Sequence, residues 1–283
     1  MWSNSDCPVI PNATVFALFK KHYKRIALAF GNDIGSQTFV KPAIAAIKKA
    51  HMQLVANETL DLHATTFRTE AAKIVSKHPD VIMTEALGPA EGAFLSEVKQ
   101  QAGGKVIPVI GTSAAISPDW YKAVAGAYGA KTLAGNFLAD NLVIDTSGPA
   151  YNPFKKAVLA MKGKVGNTGN FETYLTSPGG VHLYDAVNLA SLAMVAAKST
   201  KPSDYKPFLE KVATGKVTVH TFAQGVAALR KGETIAYRGP GGPTSFNSYN
   251  ESNGIFQVDE YTATGSVKVV GNIPNKWMSA VRP

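Results

Sequence analysis

Cysteines, arginines and long apolar runs are all scarce in this chain of 283 residues. The single cysteine, Cys7, excludes an intrachain disulfide and a multi-cysteine metal site, and its place near the terminus predicts a surface thiol. No run approaches the roughly 18 apolar residues that a membrane span needs, so the sequence predicts no such span. The first residues also lack the basic-then-apolar pattern of an export signal. The protein is therefore either cytoplasmic or exported by a signal that this chain does not carry.

Acidic residues are fewer than basic ones: the chain has 20 aspartates and glutamates and 29 lysines and arginines, which gives a net charge of +9. Such an excess suggests nucleic-acid binding, since phosphates attract basic faces. Only five of the basic residues are arginines, however, and they are widely scattered. The lysines occur in pairs such as Lys20-Lys21 and Lys48-Lys49, beside apolar positions of predicted helices. This pattern is typical of solvated helix faces, and we expect no nucleic-acid partner.

Motifs for catalysis and for cofactor binding are missing as well. Gly31-Asn-Asp-Ile-Gly35 follows a predicted strand but lacks the three-glycine dinucleotide pattern, and no phosphate-binding loop is present. The six histidines form no metal-binding helical pair, and no serine lies in a Gly-x-Ser-x-Gly elbow. We therefore expect a protein that is not an enzyme and that holds neither a cofactor nor a metal.

What the first half of the chain does contain is a repeated strand–turn–helix pattern. The predicted strands begin 28, 28 and 25 residues apart, at Arg25–Phe30, Gln53–Val55, Val81–Thr84 and Val106–Ile110. This spacing is typical of βαβ units, because a crossover between parallel strands must be long enough to hold a helix. Ligands of such α/β sheets bind where strand ends meet helix starts. The loops that meet this condition are Asn32–Gly35, Glu85–Pro89 and Gly111–Ser113.

The pattern changes after Pro118, first to helices and then to short strands. The predicted helices there cover residues 151–162, 181–198, 205–213 and 221–231, and the last 45 residues are rich in turns and strands. We expect four segments in the chain. They are an unstructured leader at 1–11 with a first helix up to residue 22, an α/β lobe at 23–135, a mostly helical part at 136–250 and a β-rich tail at 251–283.

Five segments match, in the same order, segments of one known family. They are Tyr23–Gly35, Glu58–Phe67, His78–Ile82, Tyr184–Val187 and Gly239–Asn247. The first reads as a strand ending at a small acidic loop, the fourth as the Tyr-Asp-Ala start of a buried helix, and the fifth as a glycine-rich turn. With all five in order, the chain resembles type I periplasmic binding proteins, in the branch that serves branched-chain amino acid ABC transporters.

The resemblance implies an α/β fold of two Rossmann-like lobes with parallel sheets, which close on a ligand by hinge bending. Residues 23–135 would form lobe 2, and residues 136–250 the returning half of lobe 1. The hinge crossings would fall near Asn136–Leu142 and Ser245–Asn253. Family members have a further part of lobe 1 before the first of these segments, so lobe 1 would be incomplete here.

An incomplete lobe 1 would leave one helix face uncovered. The apolar face of Val181–Lys198 would lack the strands that cover it in the family, and we expect that face to favour association or aggregation. Three origins of such a chain remain open: a fragment, a shortened gene model, and a remodelled protein that dimerises through this face.

Three positions in the expected lobe 2 match ligand-contacting positions of the family. Ile34 stands where an aromatic residue is common, Leu87 where tyrosine is common, and Ser113 where an acidic residue often binds the ligand's α-amino group. All three are smaller or less polar here, which argues against a plain α-amino acid. Ser113 could instead cap a helical turn over Ser113–Ser117.

Two acidic residues complete the predicted site. Glu85 could supply the carboxylate that Ser113 lacks, or it could cap a helix that starts at Ala90, or pair with a lysine. Asp33 is a second candidate, although a capping role in its loop fits it better than contact with the ligand.

The resemblance implies a solute-binding component of an ABC importer, periplasmic or extracellular, whose partners are a small solute and an ABC permease in the membrane. The solute would be an amino acid, an amide, or an aliphatic or aromatic carboxylate. The alternative is a ligand-sensing regulator on the same fold, of the amide-sensor type. A Rossmann-type enzyme would need a nucleotide site, and the sequence contains no motif for one.

Overall fold

The computed structural model describes residues 9–164, 171–244 and 256–273. The chain forms two compact units, which are described separately below. Unit 1 comprises residues 1–141 and 255–283, and unit 2 comprises residues 142–254. Cys7 and the predicted hinge crossing at Ser245–Asn253 lie outside the described residues, as does the end of the predicted glycine-rich turn.

Unit 1 alternates helices and strands along most of its length. Its helices are α1 (Val9–Lys20), α2 (Ile34–Lys49), α3 (Arg68–Ser76), α4 (Gly88–Gln101), α5 (Pro118–Val124) and α6 (Ala130–Leu133). Its strands are β1 (Arg25–Gly31), β2 (Gln53–Leu60), β3 (Val81–Glu85), β4 (Val109–Gly111), β5 (Phe137–Leu142), β9 (Phe256–Tyr261) and β10 (Val267–Ile273). A 3₁₀ turn at Ser113–Ala115 follows β4, and a π-helical turn at Ala125–Gly129 joins α5 to α6.

The seven strands of unit 1 form one sheet in the order β10-β9-β5-β4-β3-β1-β2. The pairs from β2 to β5 are all parallel, whereas β9 and β10 run antiparallel to each other. This mostly parallel sheet confirms the α/β class and the βαβ units predicted from the strand spacing. Phe30 of β1 lies opposite Glu85 of β3, and Thr84 lies opposite Gly111 of β4. The three strands therefore end at the same edge of the sheet.

Large apolar side chains fill the space between this sheet and its helices. Phe67 and Phe94 meet edge to face with ring centroids 6.2 Å apart, and both are fully buried. On the other side of the same core, Trp120 stacks on Tyr261 with centroids 5.9 Å apart. Each such side chain stabilises the fold by about 1.5 to 3 kcal/mol through burial. Trp120 is thus a packing residue.

Several predicted boundaries are wrong by a few residues. Helix α1 begins at Val9, inside the predicted leader, because a proline such as Pro11 is tolerated in a first helical turn, where backbone N–H groups have no intrahelical partner. Strand β2 extends to Leu60 instead of Val55. Strand β4 begins at Val109 instead of Val106, directly after Pro108, which has no N–H to donate to a strand ladder.

Unit 2 is mostly helical. Its helices are α7 (Tyr151–Leu159), α8 (Pro178–Ala197), α9 (Pro202–Tyr205), α10 (Leu209–Thr214) and α11 (Phe222–Arg230), with 3₁₀ turns at Phe171–Leu175 and Lys206–Phe208. Strands β6 (Val217–Val219) and β7 (Ile235–Gly239) pair in parallel, and β8 (Gly242–Pro243) pairs antiparallel with β7. Leu189 and Leu192 of α8 pack with Val212 and Tyr237 in the core of this unit.

Helix α8 is long and apolar enough to cross a membrane, judged by length and composition alone. One face of it, with Leu189, Leu192 and Ala193, is buried against α10 and α11 of the same unit. Two of its apolar side chains point outward, since Leu183 is 67% exposed and Val187 is 59% exposed. They lie one helical turn apart and form a small apolar face.

Candidate functional site

Three loops of unit 1 meet at the carboxyl ends of its central strands. They follow β1, β3 and β4, which are neighbours in the sheet. The chain runs from β1 outward to β2 on one side and returns to β3 on the other, so the order of the strands reverses between β1 and β3. Crevices at such reversal points are where ligands of open α/β sheets bind. Six residues of these loops form what we call the candidate edge: Asp33, Ile34, Glu85, Leu87, Thr112 and Ser113.

Asp33 begins helix α2. Its side chain accepts hydrogen bonds from the backbone N–H of Ser36 at 3.0 Å and from the Ser36 hydroxyl at 2.6 Å. These bonds stabilise the charged form and lower the pKa of Asp33 below its ordinary value. Asp33 therefore has the capping role that the sequence favoured. The next residue, Ile34, is 87% exposed, which is unusual for a large apolar side chain.

Glu85 is half-buried at the end of β3. Its carboxylate accepts a hydrogen bond from the Thr112 hydroxyl. The Ser36 hydroxyl, which donates to Asp33 at 2.6 Å, lies 3.5 Å from the other Glu85 oxygen. Burial raises the pKa of Glu85, and the negative charge of Asp33 raises it further, while the two hydroxyls act against this shift. Glu85 thus links the loops that follow β1, β3 and β4.

The two structural roles considered for Glu85 are both wrong. Helix α4 begins at Gly88 rather than Ala90, and its N-terminal capping position is Leu87, so Glu85 does not cap it. Gly88-Pro89 starts the helix earlier than expected because proline fits the first turn. Within the described ranges, Glu85 makes no ion pair with a lysine. Leu87 is 63% exposed, so its side chain reaches solvent at the candidate edge.

In the loop after β4, the residue that caps the helical turn is not the predicted one. Ser113 is the first residue of the 3₁₀ turn, and the capping residue is Thr112, whose hydroxyl accepts from the Ala114 N–H at 3.3 Å. The Ser113 side chain is therefore not the cap, and it is partly exposed beside Thr112. The sequence did not single out Thr112, although its place directly after a buried strand is where a capping hydroxyl is expected.

Glu91 is a buried acid directly beneath the candidate edge, and the sequence analysis missed it. Its Oε2 accepts hydrogen bonds from the Ala86 N–H at 3.2 Å and from the Trp120 indole N–H at 3.1 Å. Burial raises the pKa of Glu91 to about 8. The signal was present, because Glu91 lies on the apolar stripe of α4 with Phe94, Leu95 and Val98, where an acid is out of place.

A second buried acid, Asp140, lies on β5 near the same edge of the sheet. Burial raises the pKa of Asp140 to about 8, and the negative charge of Glu85 contributes to the shift. The hydroxyl of Thr14 on α1 donates to one of its oxygens. One residue along the chain, Asn141 donates to Asp259 of β9 at 2.8 Å. The sequence predicted a hinge crossing near Asn136–Leu142 but singled out no side chain in it, so neither acid-containing pair was predicted.

The candidate edge is thus acidic, although the chain as a whole is strongly basic. Three ion pairs are present in the described parts of the chain, and all of them lie away from the six edge residues. In the same ranges, no three His, Cys, Asp or Glu residues are grouped so that they could hold a metal ion. The arrangement can bind hydrogen-bond donors or a cationic group at Glu85 and apolar surface at Ile34 and Leu87.

Comparison with known proteins identifies related sequences and folds. The sequence model of the periplasmic binding protein family matches residues 9–255. No curated protein matches the chain by sequence. Among solved structures, the leucine-binding protein LivK of Thermotoga maritima superposes with a TM-score of 0.66 at 17% identity. The match covers 95% of this chain and 66% of LivK.

Two further solved structures are similar. The branched-chain amino acid binding protein LivJ of Streptococcus pneumoniae, in complex with isoleucine, has a TM-score of 0.56 at 16% identity, with 96% of this chain and 66% of LivJ covered. A solute-binding protein of an ABC transporter from R. palustris, in complex with benzoate, has a TM-score of 0.61 at 16% identity. That match covers 94% of this chain and 62% of the R. palustris protein. The chain therefore spans about two thirds of the length of these proteins.

Proposed function

Because the chain belongs to the periplasmic binding protein family, we propose that it is the solute-binding component of an ABC importer. In this role it binds a small solute without chemical change and delivers it to a permease in the membrane. The protein acts in the periplasm or outside the cell. Closure of two lobes on the solute is the expected motion, as the resemblance to hinge-bending proteins implies.

One observation carries the proposed binding site. Ile34 and Leu87 are large, apolar and mostly exposed, and they follow the two strands between which the strand order reverses. Large apolar side chains grouped in solvent often mark a surface that another molecule covers. Glu85 ends the second of these strands, and its carboxylate accepts from the Thr112 hydroxyl. This combination favours a solute with an apolar body and at least one hydrogen-bond donor.

The solute class follows from the same residues. Glu85 is an acceptor when ionised, so it suits an amide, an amine or a hydroxyl group of the solute. Ile34 and Leu87 suit an aliphatic chain or an aromatic ring. Of the compounds bound by similar proteins, isoleucine has both an amine and an aliphatic chain, whereas benzoate has an aromatic ring and no donor. The pair therefore tests whether the donor is needed. Ser113 contributes a further hydroxyl at this edge.

A thermal-shift screen tests the proposal. The purified chain is melted with leucine, isoleucine, benzoate, 4-hydroxybenzoate, acetamide or urea. A compound that binds only the folded state at one hundred times its dissociation constant adds about 2.7 kcal/mol of stability. In a protein of this size we expect a rise in Tm of roughly 5 to 10 °C. A cooperative melt that none of these compounds shifts would contradict the proposal.

Transport and sensing are distinguished by a second measurement. The alternative role, a ligand-sensing regulator, gives the same thermal shift because it also binds a solute. Cellular uptake of the solute that binds separates the two, since loss of the chain abolishes uptake only if it serves an importer. Unchanged uptake together with altered expression of neighbouring genes would support the regulator.

A further inference from the structure

One buried side chain, Glu91, binds the backbone of the loop between β3 and α4. Glu91 lies in the first turns of α4, and its Oε2 accepts from the Ala86 N–H and from the Trp120 indole. Ala86 stands between the two edge residues Glu85 and Leu87. The backbone of the loop is therefore attached to α5 through a single buried carboxyl group. Nothing in the family match or in the solved relatives assigns a role to this residue.

Two oxygen atoms, one in this carboxyl group and one in a neighbouring hydroxyl, have no hydrogen-bond partner among the described residues. Glu91 Oε1 and Thr84 Oγ1 are both buried and make no hydrogen bond in the described parts of the chain. Thr84 immediately precedes Glu85 on β3, and its hydroxyl acts on the Glu91 carboxyl by lowering its pKa, against the larger effect of burial. A protonated Glu91 has an O–H on Oε1 that can donate to Thr84 while Oε2 keeps both of its donors. The ionised carboxyl can instead accept from the Thr84 hydroxyl, so Thr84 is a partner for Glu91 in either form.

Burial and the charges around Glu91 favour its neutral form. Glu85 of β3 is the titratable group that acts on it, and its negative charge opposes ionisation. Helix α3 packs on α4, but its Lys73 is paired with Glu58 at 2.9 Å. On α5, Asp119 and Lys122 are exposed. In α4 itself, Lys99 lies over the Tyr128 ring of the adjoining π-helical turn at 5.7 Å.

We propose that Glu91 is a positioning residue of the candidate edge: its protonated carboxyl joins Thr84, Ala86 and Trp120 and holds the loop that carries Glu85 and Leu87. Loss of the proton leaves a charge in a buried site beneath Glu85. The loop then opens more readily, because opening hydrates the carboxylate. Loop order is thereby coupled to pH. This inference deepens the proposed function and rests on it for the role of the loop in binding.

Amide hydrogen exchange tests this without any solute. In the closed loop the pKa of Glu91 is about 8, well above its ordinary value. Opening therefore becomes more favourable as the pH rises from about 5 to about 8, by up to about tenfold per pH unit. The Ala86 amide of the wild type should exchange increasingly faster than that of Glu91→Gln over this range. Glutamine keeps an acceptor for the two N–H donors, gives Thr84 a donor and cannot ionise.

The Trp120 indole gives a second readout in the same samples. Its N–H resonance, identified by its loss in Trp120→Phe, should move with a midpoint near pH 8 in the wild type and stay fixed in Glu91→Gln. Glu85→Gln should lower this midpoint, because the opposing charge is gone. Glu70→Gln on α3 is the control, since it removes the same charge from the neighbouring helix and should leave the midpoint unchanged.

Two results would overturn the inference. One is an indole resonance that does not move between about pH 6 and about pH 10, or that moves equally in Glu91→Gln. The other is a titrating indole with the same Ala86 exchange rates in wild type and Glu91→Gln, which would make Glu91 a buried acid without a positioning role. Should Glu91→Gln not fold, the wild-type midpoint and its change in Glu85→Gln decide the question. Because no solute is present, these outcomes are independent of whether the solute screen succeeds.

Discussion

The carboxylate of Asp185 accepts a hydrogen bond from the backbone N–H of Gly241 at 2.8 Å, although the two residues are 56 positions apart. Its other oxygen accepts from the Tyr237 hydroxyl at 2.9 Å. Asp185 belongs to the Tyr-Asp-Ala segment and Gly241 to the glycine-rich turn. The Tyr-Asp-Ala segment and the glycine-rich turn each resembled a family segment separately. In unit 2 they are joined by a hydrogen bond. Their shared role is to attach α8 to the turn after β7.

Gly239→Ala should destabilise unit 2. A Cβ at Gly239 would overlap the Asp185 carboxylate and crowd the Tyr237 hydroxyl. Either the turn moves or Asp185 loses its partners, and we expect a loss of about 2 to 3 kcal/mol. Urea unfolding measures it. Gly179→Ala is the matched control, because a Cβ there meets only ordinary contacts and alanine is the better helix former. Equal stability of the two variants would contradict this account of the turn.

Stability should fall as the pH rises above about 5. Burial raises the pKa of Asp185 to about 6 and the pKa values of Glu91 and Asp140 to about 8. The folded state therefore holds protons that the unfolded chain has already released. The stabilisation is complete below the ordinary pKa values and is lost as the pH passes through the raised ones.

We expect a Tm at pH 9 that is lower than at pH 5 by at least about 5 °C, equivalent to about 2 kcal/mol in a protein of this size. Calorimetric melts across this range measure the slope. The double variant Glu91→Gln/Asp140→Asn should show a flatter profile, since two of the three groups no longer titrate. A wild-type Tm that rises steadily from pH 5 to pH 9 would be inconsistent with buried neutral acids.

Leu87→Ala should weaken solute binding without lowering stability. The Leu87 side chain is 63% exposed, so its truncation removes little buried surface and should change stability by less than about 0.5 kcal/mol. Loss of its contact with a solute should reduce affinity by roughly fivefold to thirtyfold, the equivalent of about 1 to 2 kcal/mol. Leu183→Ala is the control, because Leu183 is a leucine of similar exposure, 67%, that belongs to unit 2 and not to the candidate edge. The same affinity in both variants would exclude Leu87 from the site.

Tyr261→Phe should loosen the loop that carries Ser113. The Tyr261 hydroxyl donates to the Ala115 carbonyl at 2.8 Å and accepts from the Ser117 N–H at 3.1 Å, in a buried setting. Removal of the hydroxyl leaves both backbone groups unpaired and should cost about 1 to 3 kcal/mol. Tyr121→Phe, which loses a more exposed bond to the Ala263 carbonyl, should cost less. Chemical denaturation ranks the two variants, and the reverse order would contradict this assignment.

The βαβ part of the fold was predictable because its signals are local. Strand spacing, glycine-marked turns and helix periodicity placed β1, β2 and β3 with the correct first residue in each case. Gly111 shows why the packing was not predictable. A Cβ there would lie 2.7 Å from the Phe137 ring, a contact between segments 26 residues apart that no local pattern indicates. The end of β4 therefore depends on β5.

The location of the candidate edge was predictable from the sequence, but the hydrogen bonds between its side chains were not. Parallel strands end together, so Asp33, Glu85 and Ser113 were correctly expected near one edge of the sheet. Which hydroxyl binds which carboxylate depends on side chains from three loops. Nothing in the order of residues indicated that Thr112, rather than Ser113, would bind Glu85. Glu91 was missed for a similar reason, since its partner Trp120 lies on another helix.

The central claim is that a small solute binds at Glu85 and its two apolar neighbours, and isothermal titration calorimetry tests it most directly. The compound with the largest thermal shift is titrated into wild type, Glu85→Gln and the control Glu70→Gln at one pH. The account predicts one binding site in the wild type, an affinity at least about tenfold lower in Glu85→Gln, and no change in Glu70→Gln. Equal affinities in all three proteins, or no binding heat from any compound in the panel, would contradict it.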